Sequence, residues 1–260
     1  FDPWLHTIAE VTAYAKAGVR LVSVDENLVD AIWSDRPAPP SGKIEIHPFG
    51  FAGELARDKI VRLSENLRTQ GATHAVLTDP SSLAWLFNIR GSDVPHTPLA
   101  LGFAILAAEG LPKLFLANDK LTIETEAYLT QLADIRSPAM LESELAAIAS
   151  TGGRVALDPA LAADRLRSIV EDNGGTVVQS PDPARLPRAT KNAAELAGSR
   201  AAHRRDGAAI ANFLCWLDRQ EPGSVDEISA VTALEGFRAS IGEATQMKLR
   251  DISFDTISGA

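Results

Sequence analysis

Apolar residues spaced three and four apart alternate with short apolar runs along most of the chain. Leu5, Ile8, Val11, Thr12 and Ala15 share one face of a helix predicted over 4–17, and VRLVSV (19–24) reads as the strand that follows Gly18. The grammar repeats: Ala56, Ile60, Leu63 and Leu67 mark a helix closed by Gly71, and THAVLT (73–78) is strand-like. LALGFAIL (99–106) and LPKLFLAN (111–118), flanking Glu109-Gly110, read as an antiparallel hairpin. Helices are expected at 123–132 and 139–149, a strand at 154–157, a helix ending at Asn173, and a short strand, TVVQ. Strands alternating with helices, plus one hairpin, imply a mixed sheet with helices on its faces.

Three Asp-Pro pairs punctuate this layer, at Asp2-Pro3, Asp79-Pro80 and Asp158-Pro159. Asp as N-cap and Pro at the first helical position explain them without a catalytic role. Gly152-Gly153 and Gly174-Gly175 read as turns rather than phosphate cradles. SPDPARLP (180–187) has no periodicity and marks a domain boundary. Beyond it, a long helix over 191–220 carries Asn192 and Glu195 at capping-box spacing and Leu196, His203, Ile210 and Leu217 every seven residues. Ser224 with Glu227 opens another helix to about 240, and Ile252, Phe254 and Thr256 alternate as in a half-buried strand. The absence of an initiator Met and a strand left at the end suggest a segment of a longer protein, cut at both ends.

Composition narrows the partners. The 260 residues hold 25 basic and 34 acidic side chains, a net charge of -9 that disfavours nucleic acid and anionic membrane surfaces. The longest apolar run, Leu99 to Ala108, is about half of a membrane span, and FDPWLHT lacks the features of a signal peptide. One cysteine, Cys215, allows no internal disulfide and no thiolate zinc site, so a soluble, cytoplasmic protein is expected. Cys215 lies in an apolar run and reads as buried; Trp85 and Phe87 read as core, Trp33 and Trp216 as core or interface anchors. The five histidines form no HExxH or i,i+4 pair, and His203 reads as a structural histidine on the half-buried face of its helix. GxSxG, Walker and GxGxxG motifs are absent.

The loop in WLFNIRGSDVPHTP (85–98) stands out, since Arg90, Asp93 and His96 are held between turn formers and stiffened by Pro95 and Pro98. An Arg90–Asp93 pair and a binding site explain it equally well.

Four runs carry a resemblance: ENLVDAIWSDRP (26–37), LTDPSSLAWLFNIRGSDVPHTPLALGFAIL (77–106), RATKNAAELAGSRAAHRRDGAAIANFLCWLD (188–218) and SFDTISGA (253–260). In this order they resemble the long-form Xaa-Pro aminopeptidases, or aminopeptidase P, of the pita-bread metallopeptidase family. The resemblance implies an α/β fold: a creatinase-like mixed-sheet middle domain over 1–185, then the first helices and strand of an α+β pita-bread catalytic domain over 188–260. It implies release of the N-terminal residue from peptides with proline in second position, and a homodimer. It also implies two divalent metal ions, typically manganese, held by two Asp, one His and two Glu. In the family those ligands follow the SFDTISGA strand, so no metal or catalytic role falls on Asp251, Asp255 or any other residue, and this segment is expected to bind no metal and be inactive alone. Arg90 and His96 are the candidates for substrate-cleft or interdomain contacts. Some pita-bread relatives that lack the metal ligands bind peptides or histone tails, and that alternative stays open.

Overall fold

The computed structural model describes residues 1–24 and 26–259. They form two compact units, one of Phe1–Val94 and Pro98–Thr190, the other of Pro95–Thr97 and the residues from Lys191 onward. In the first unit the order is α1 (Ile8–Lys16), α2 (Leu28–Ile32), β1 (Glu45–Ile46), α3 (Phe49–Ala52), α4 (Ala56–Thr69), β2 (His74–Leu77), α5 (Pro80–Leu86) and β3 (Ile89–Arg90). It continues with β4 (Phe103–Ala107), β5 (Lys113–Phe115), α6 (Ile123–Leu129), β6 (Asp134–Arg136), α7 (Leu141–Ser150), β7 (Arg154–Leu157), α8 (Asp164–Asp172), β8 (Thr176–Gln179) and α9 (Arg185–Ala189). The second unit holds α10 (Ala193–Leu217) and α11 (Glu227–Ala244).

Six strands form one sheet in the order β6-β5-β4-β2-β7-β8. β4 runs antiparallel to both β2 and β5, whereas β7 is parallel to β2 and β8. The expected mixed sheet and its hairpin are therefore present. Successive strand residues point to opposite faces, and the two faces bury different cores. Ala75, Leu77, Ala104, Leu106 and Leu114 pack with α4 and α5 through Leu63, Leu67, Leu83 and Leu86. Val76, Ile105, Phe115, Val155 and Leu157 pack on the other side with Ile8 and with Leu145, Ile148, Leu166 and Ile169 of α7 and α8. A strand covered on both sides needs no alternation, which is why HAVL is apolar at three successive positions. Burying one such Leu contributes roughly 1.5–3 kcal/mol before ordering costs.

The local signals differ in how they play out. Asp79 caps α5 as expected, accepting from the Ser81 amide at 2.8 Å with Pro80 at the first position. Asp2 and Asp158 instead close turns, accepting from the amides of Trp4 and Ala160. α8 starts only at Asp164. VRLVSV is not a strand: Val19, Val22 and Val24 are exposed, and its backbone bonds go to Tyr14 and Phe1. The helix expected over 4–17 begins at Ile8, where Thr7 and Glu10 form a capping box, and only Ile8 of its apolar face is buried.

Asp158 also accepts from the amide of Asp182 at 2.9 Å, and Asp182 accepts from the amide of Ala184 at 2.7 Å. These bonds tie the ends of β7 and β8 to α9. Burial, with the nearby Asp79 charge adding to it, holds the Asp182 carboxyl above its ordinary range despite Ser82 and the Ala184 amide.

In the second unit, Asn192 and Glu195 cap α10 reciprocally as expected. The box on α11 is formed by Asp226 and Ser229 rather than Ser224 and Glu227, so the helix starts at Glu227. α10 packs against α11, and among their described residues only Ala209, Leu234 and Gly242 are buried. With one neighbouring helix to cover it, the seven-residue stripe stays largely open: Leu196, His203 and Leu217 are exposed and Ile210 is half-buried. Cys215 is exposed, contrary to expectation, and Trp216 is half-buried beside Phe213. Trp33 of the first unit is exposed as well, not core. No strand forms among residues 251–259, where Phe254 is 64% exposed; Ala260, the end of the SFDTISGA run, lies outside the described residues.

A raised carboxyl pKa favours the protonated form in the fold, so that contribution is present below the ordinary value of 3.8 and lost as pH rises. Asp182→Asn keeps the acceptor for Ala184 without the charge. Urea unfolding at pH 7 should show stability equal to the parent or higher by up to about 1 kcal/mol, with the difference shrinking toward pH 3. A clear loss at pH 7 contradicts this account.

Candidate functional site

The 85–98 stretch is held from below by a buried lysine. Lys59 of α4 donates to the Trp85 carbonyl at 2.9 Å and to Asn88 Oδ1 at 2.8 Å, and its ammonium lies 4.3 Å from the Trp85 ring centroid. Asn88 adopts a left-handed φ of 49°, which short polar side chains tolerate, and donates from Nδ2 to the Glu54 carbonyl. The turn delivers the chain into β3, which pairs antiparallel with β1. Trp85 and Phe87 are buried in the core as expected.

Arg90 lies on β3 opposite Glu45, and its guanidinium donates to the carbonyls of Ala84 (3.2 Å) and Ile89 (2.8 Å). Gly91 follows where a Cβ would meet the Ala100 amide nitrogen at 2.6 Å, so only glycine lets the two arms of the loop approach. Asp93 is buried. Its carboxylate accepts from the amides of Gly42 (2.8 Å) and Leu101 (2.6 Å) and pairs with Lys120, itself bonded to the Leu101 carbonyl. The partner of Asp93 is thus Lys120 and not Arg90. Nothing in the sequence near the loop signals this, because Lys120 arrives from beyond the hairpin.

His96 belongs to the second unit. Its φ is 58°, left-handed for a non-glycine residue, in a backbone bounded by Pro95 and Pro98. Nδ1 lies 3.1 Å from Asp251 Oδ1, and Nε2 lies 3.1 Å from Asp255 Oδ1. Two carboxylates on the two ring nitrogens suit an imidazolium, the only form with two N–H groups. The bond to Asp251, with both carboxylate charges, raises the His96 pKa above its ordinary 6.5, and the same bond lowers that of Asp251 below 3.8. No local pattern in the sequence singles out Asp251 or Asp255, which lie 155 and 159 positions from His96.

Elsewhere in the second unit, His203 bonds the Ser199 carbonyl at 2.8 Å, one helical turn back. Among the described residues no group of three or more His, Cys, Asp or Glu side chains is placed to hold a metal ion. They do not fit a two-metal centre. No helix among them is long and apolar enough to cross a membrane.

Removing the Asp93 carboxylate leaves the Lys120 ammonium buried and unpaired. Asp93→Ala should cost about 3–5 kcal/mol in denaturant unfolding, whereas a double change to Asp93→Ala, Lys120→Met should recover much of it. For His96, stabilisation by the imidazolium is present below pH 6.5 and lost as pH rises through the raised value; that from Asp251 is present above pH 3.8 and lost as pH falls. NMR titration of His96 should therefore give a midpoint above 6.5 that returns toward it in Asp251→Asn. An unchanged midpoint would rule out the pairing.

Residues 35–195 match the model of the creatinase/prolidase N-terminal domain. The probable Xaa-Pro aminopeptidase P of Aspergillus clavatus is 34% identical over 98% of this chain and 39% of its own length. That of Penicillium rubens is 32% identical over 99% of this chain and 43% of its own length. The chain thus spans about two fifths of these relatives. The crystal structure of X-prolyl aminopeptidase from Caenorhabditis elegans, described as a cytosolic enzyme with a di-nuclear active site, superposes with a TM-score of 0.86 at 30% identity. It covers 100% of this chain and 43% of that one. An Xaa-Pro dipeptidase from Bacillus anthracis (TM-score 0.53, 17% identity, 71% of this chain and 49% of that one) shares the fold. A family match across most of the first unit and relatives along nearly the whole length agree: the chain belongs to the creatinase/prolidase family.

Proposed function

We propose that this chain is part of a metal-dependent aminopeptidase that releases the N-terminal residue from peptides with proline in second position. The observation that carries the reading is the similarity to X-prolyl aminopeptidase over the entire chain at a TM-score of 0.86. On this reading residues 1–185 are the creatinase-like middle domain and residues 188–260 open the pita-bread catalytic domain. The sparse core of α10 and α11 supports the second assignment, since a helix pair that buries so few apolar side chains needs further chain to cover it. Two divalent ions, manganese by resemblance, would be held outside residues 1–260, and the assembled enzyme would be a cytoplasmic homodimer.

The bond such an enzyme cleaves is tertiary and carries no N–H, so a pocket shaped to the proline ring is a direct way to select it. This chain contributes shape and positioning: the Lys59 and Asp93 networks fix the 85–98 loop, and Arg90 and His96 serve as substrate-cleft or interdomain residues. The test compares two proteins supplied with manganese. Residues 1–260 alone should show no turnover of an Xaa-Pro peptide above a metal-only blank, whereas the full reading frame should cleave it and spare its Xaa-Ala counterpart. In the full protein, Arg90→Ala or His96→Ala should lower kcat/KM about tenfold or more. Turnover by the 260-residue chain refutes the placement of the metal ions outside it, and none by the full protein refutes the activity; a change in melting temperature with intact kinetics refutes the role of the two residues.

A further inference from the structure

α3 is a single helical turn that buries only its last residue, Ala52. It opens on Pro48 and is closed by Gly53 at a φ of 68°. Both flanks of the turn are bonded to one residue of the 85–98 stretch: the His47 amide donates to the Asn88 carbonyl at 2.7 Å, and Asn88 Nδ2 donates to the Glu54 carbonyl at 2.8 Å. Asn88 is itself held by Lys59, so α3 is fixed against the loop. Phe49 is nevertheless 59% exposed, Phe51 47% and Leu55 48%. Together they open on the order of 300 Å² of apolar surface, the scale of the patches that are often functional on a folded protein.

We propose that Phe49 and Phe51 form an aromatic shelf that binds the residues of a peptide substrate beyond its second position and favours further prolines there. The inference rests on the aminopeptidase reading and extends it from the scissile bond to the rest of the peptide. A proline has no N–H to offer a strand edge, so contact with its ring must carry the recognition, and aromatic surfaces receive proline-rich chain in this way. Such a chain is already extended and ordered, and it loses little freedom on docking. The receiving side is ordered too. The Phe51 ring lies 5.9 Å from that of His47, and the two bonds to Asn88 fix the backbone on either side of it. Arg90, the candidate cleft residue, lies on β3, which pairs with β1 just before α3, so shelf and arginine share one short ladder.

The test titrates the 260-residue chain with N-acetyl-Ala-Pro-Pro-Pro-amide, which has no free amino terminus to be cleaved, followed by NMR. Saturable shifts are expected at the Phe49 and Phe51 rings and at the amides of 49–55, with weaker binding of a tetra-alanine counterpart. Phe49→Ser and Phe51→Ser should each weaken binding about tenfold with unchanged melting temperature. Phe49 is the more exposed of the two, so its variant remains informative if Phe51→Ser unfolds. In the full protein the same changes should raise KM for Ala-Pro-Pro-Pro about tenfold more than KM for Ala-Pro. Absence of saturable shifts, equal affinity for the alanine peptide, or an equal change in KM for both substrates overturns the shelf and leaves the peptidase reading standing. A full protein without turnover sinks that reading instead, and the titration alone then decides the shelf. A rise in mass with concentration that the two variants abolish, in place of peptide binding, gives the patch to a second copy of the chain and overturns the proposal.

Discussion

A carboxylate cannot stay buried without donors, and Asp93 obtains its donors from three separate parts of the chain. Gly42 precedes β1, Leu101 precedes β4, and Lys120 follows β5. One side chain thereby ties the small β1–β3 ladder to the hairpin of the main sheet. The loop that it closes is short of alternatives, because Gly91 already presses against Ala100 and the Asn88 turn is fixed by Lys59. Rigidity at 85–98 is the sum of two buried cations, one answered by a carboxylate and one by a carbonyl, an amide oxygen and a ring face.

Much of the first unit is legible in the sequence because its signals are local. The Leu63 and Leu67 stripe of α4, the Asp79-Pro80 cap and the hairpin around Gly110 each follow from a few neighbouring residues. What escaped is either too short or too distant. β1 and β3 have two residues each, which no period can reveal. The Asp93–Lys120 pair spans 27 positions and the His96–Asp251 pair 155, and pattern reading gives no access to partners so far apart. Where the reading overreached, at VRLVSV and DISFDTISGA, propensity was right for strands but no partner strand meets them among the described residues.

The second unit fails its pattern for a different reason. A seven-residue stripe predicts which face a helix would bury, and α10 has that face, yet one helix covers only the middle of it. Leu214 at 56% and Ile228 at 75% exposure lie outside that cover. The similarity to X-prolyl aminopeptidase covers these helices as well as the sheet, whereas the match to the creatinase/prolidase N-terminal domain ends at residue 195.

Lys59 has an experimental consequence beyond its role in the loop. Its ammonium is sealed beneath Trp85 and bonded to two oxygens, with 1% of the residue exposed. Amine-reactive reagents need an accessible, deprotonated nitrogen, so acylation at this position requires the loop to open. The extent of labelling at one lysine among the exposed ones therefore reports the opening equilibrium of the 85–98 stretch.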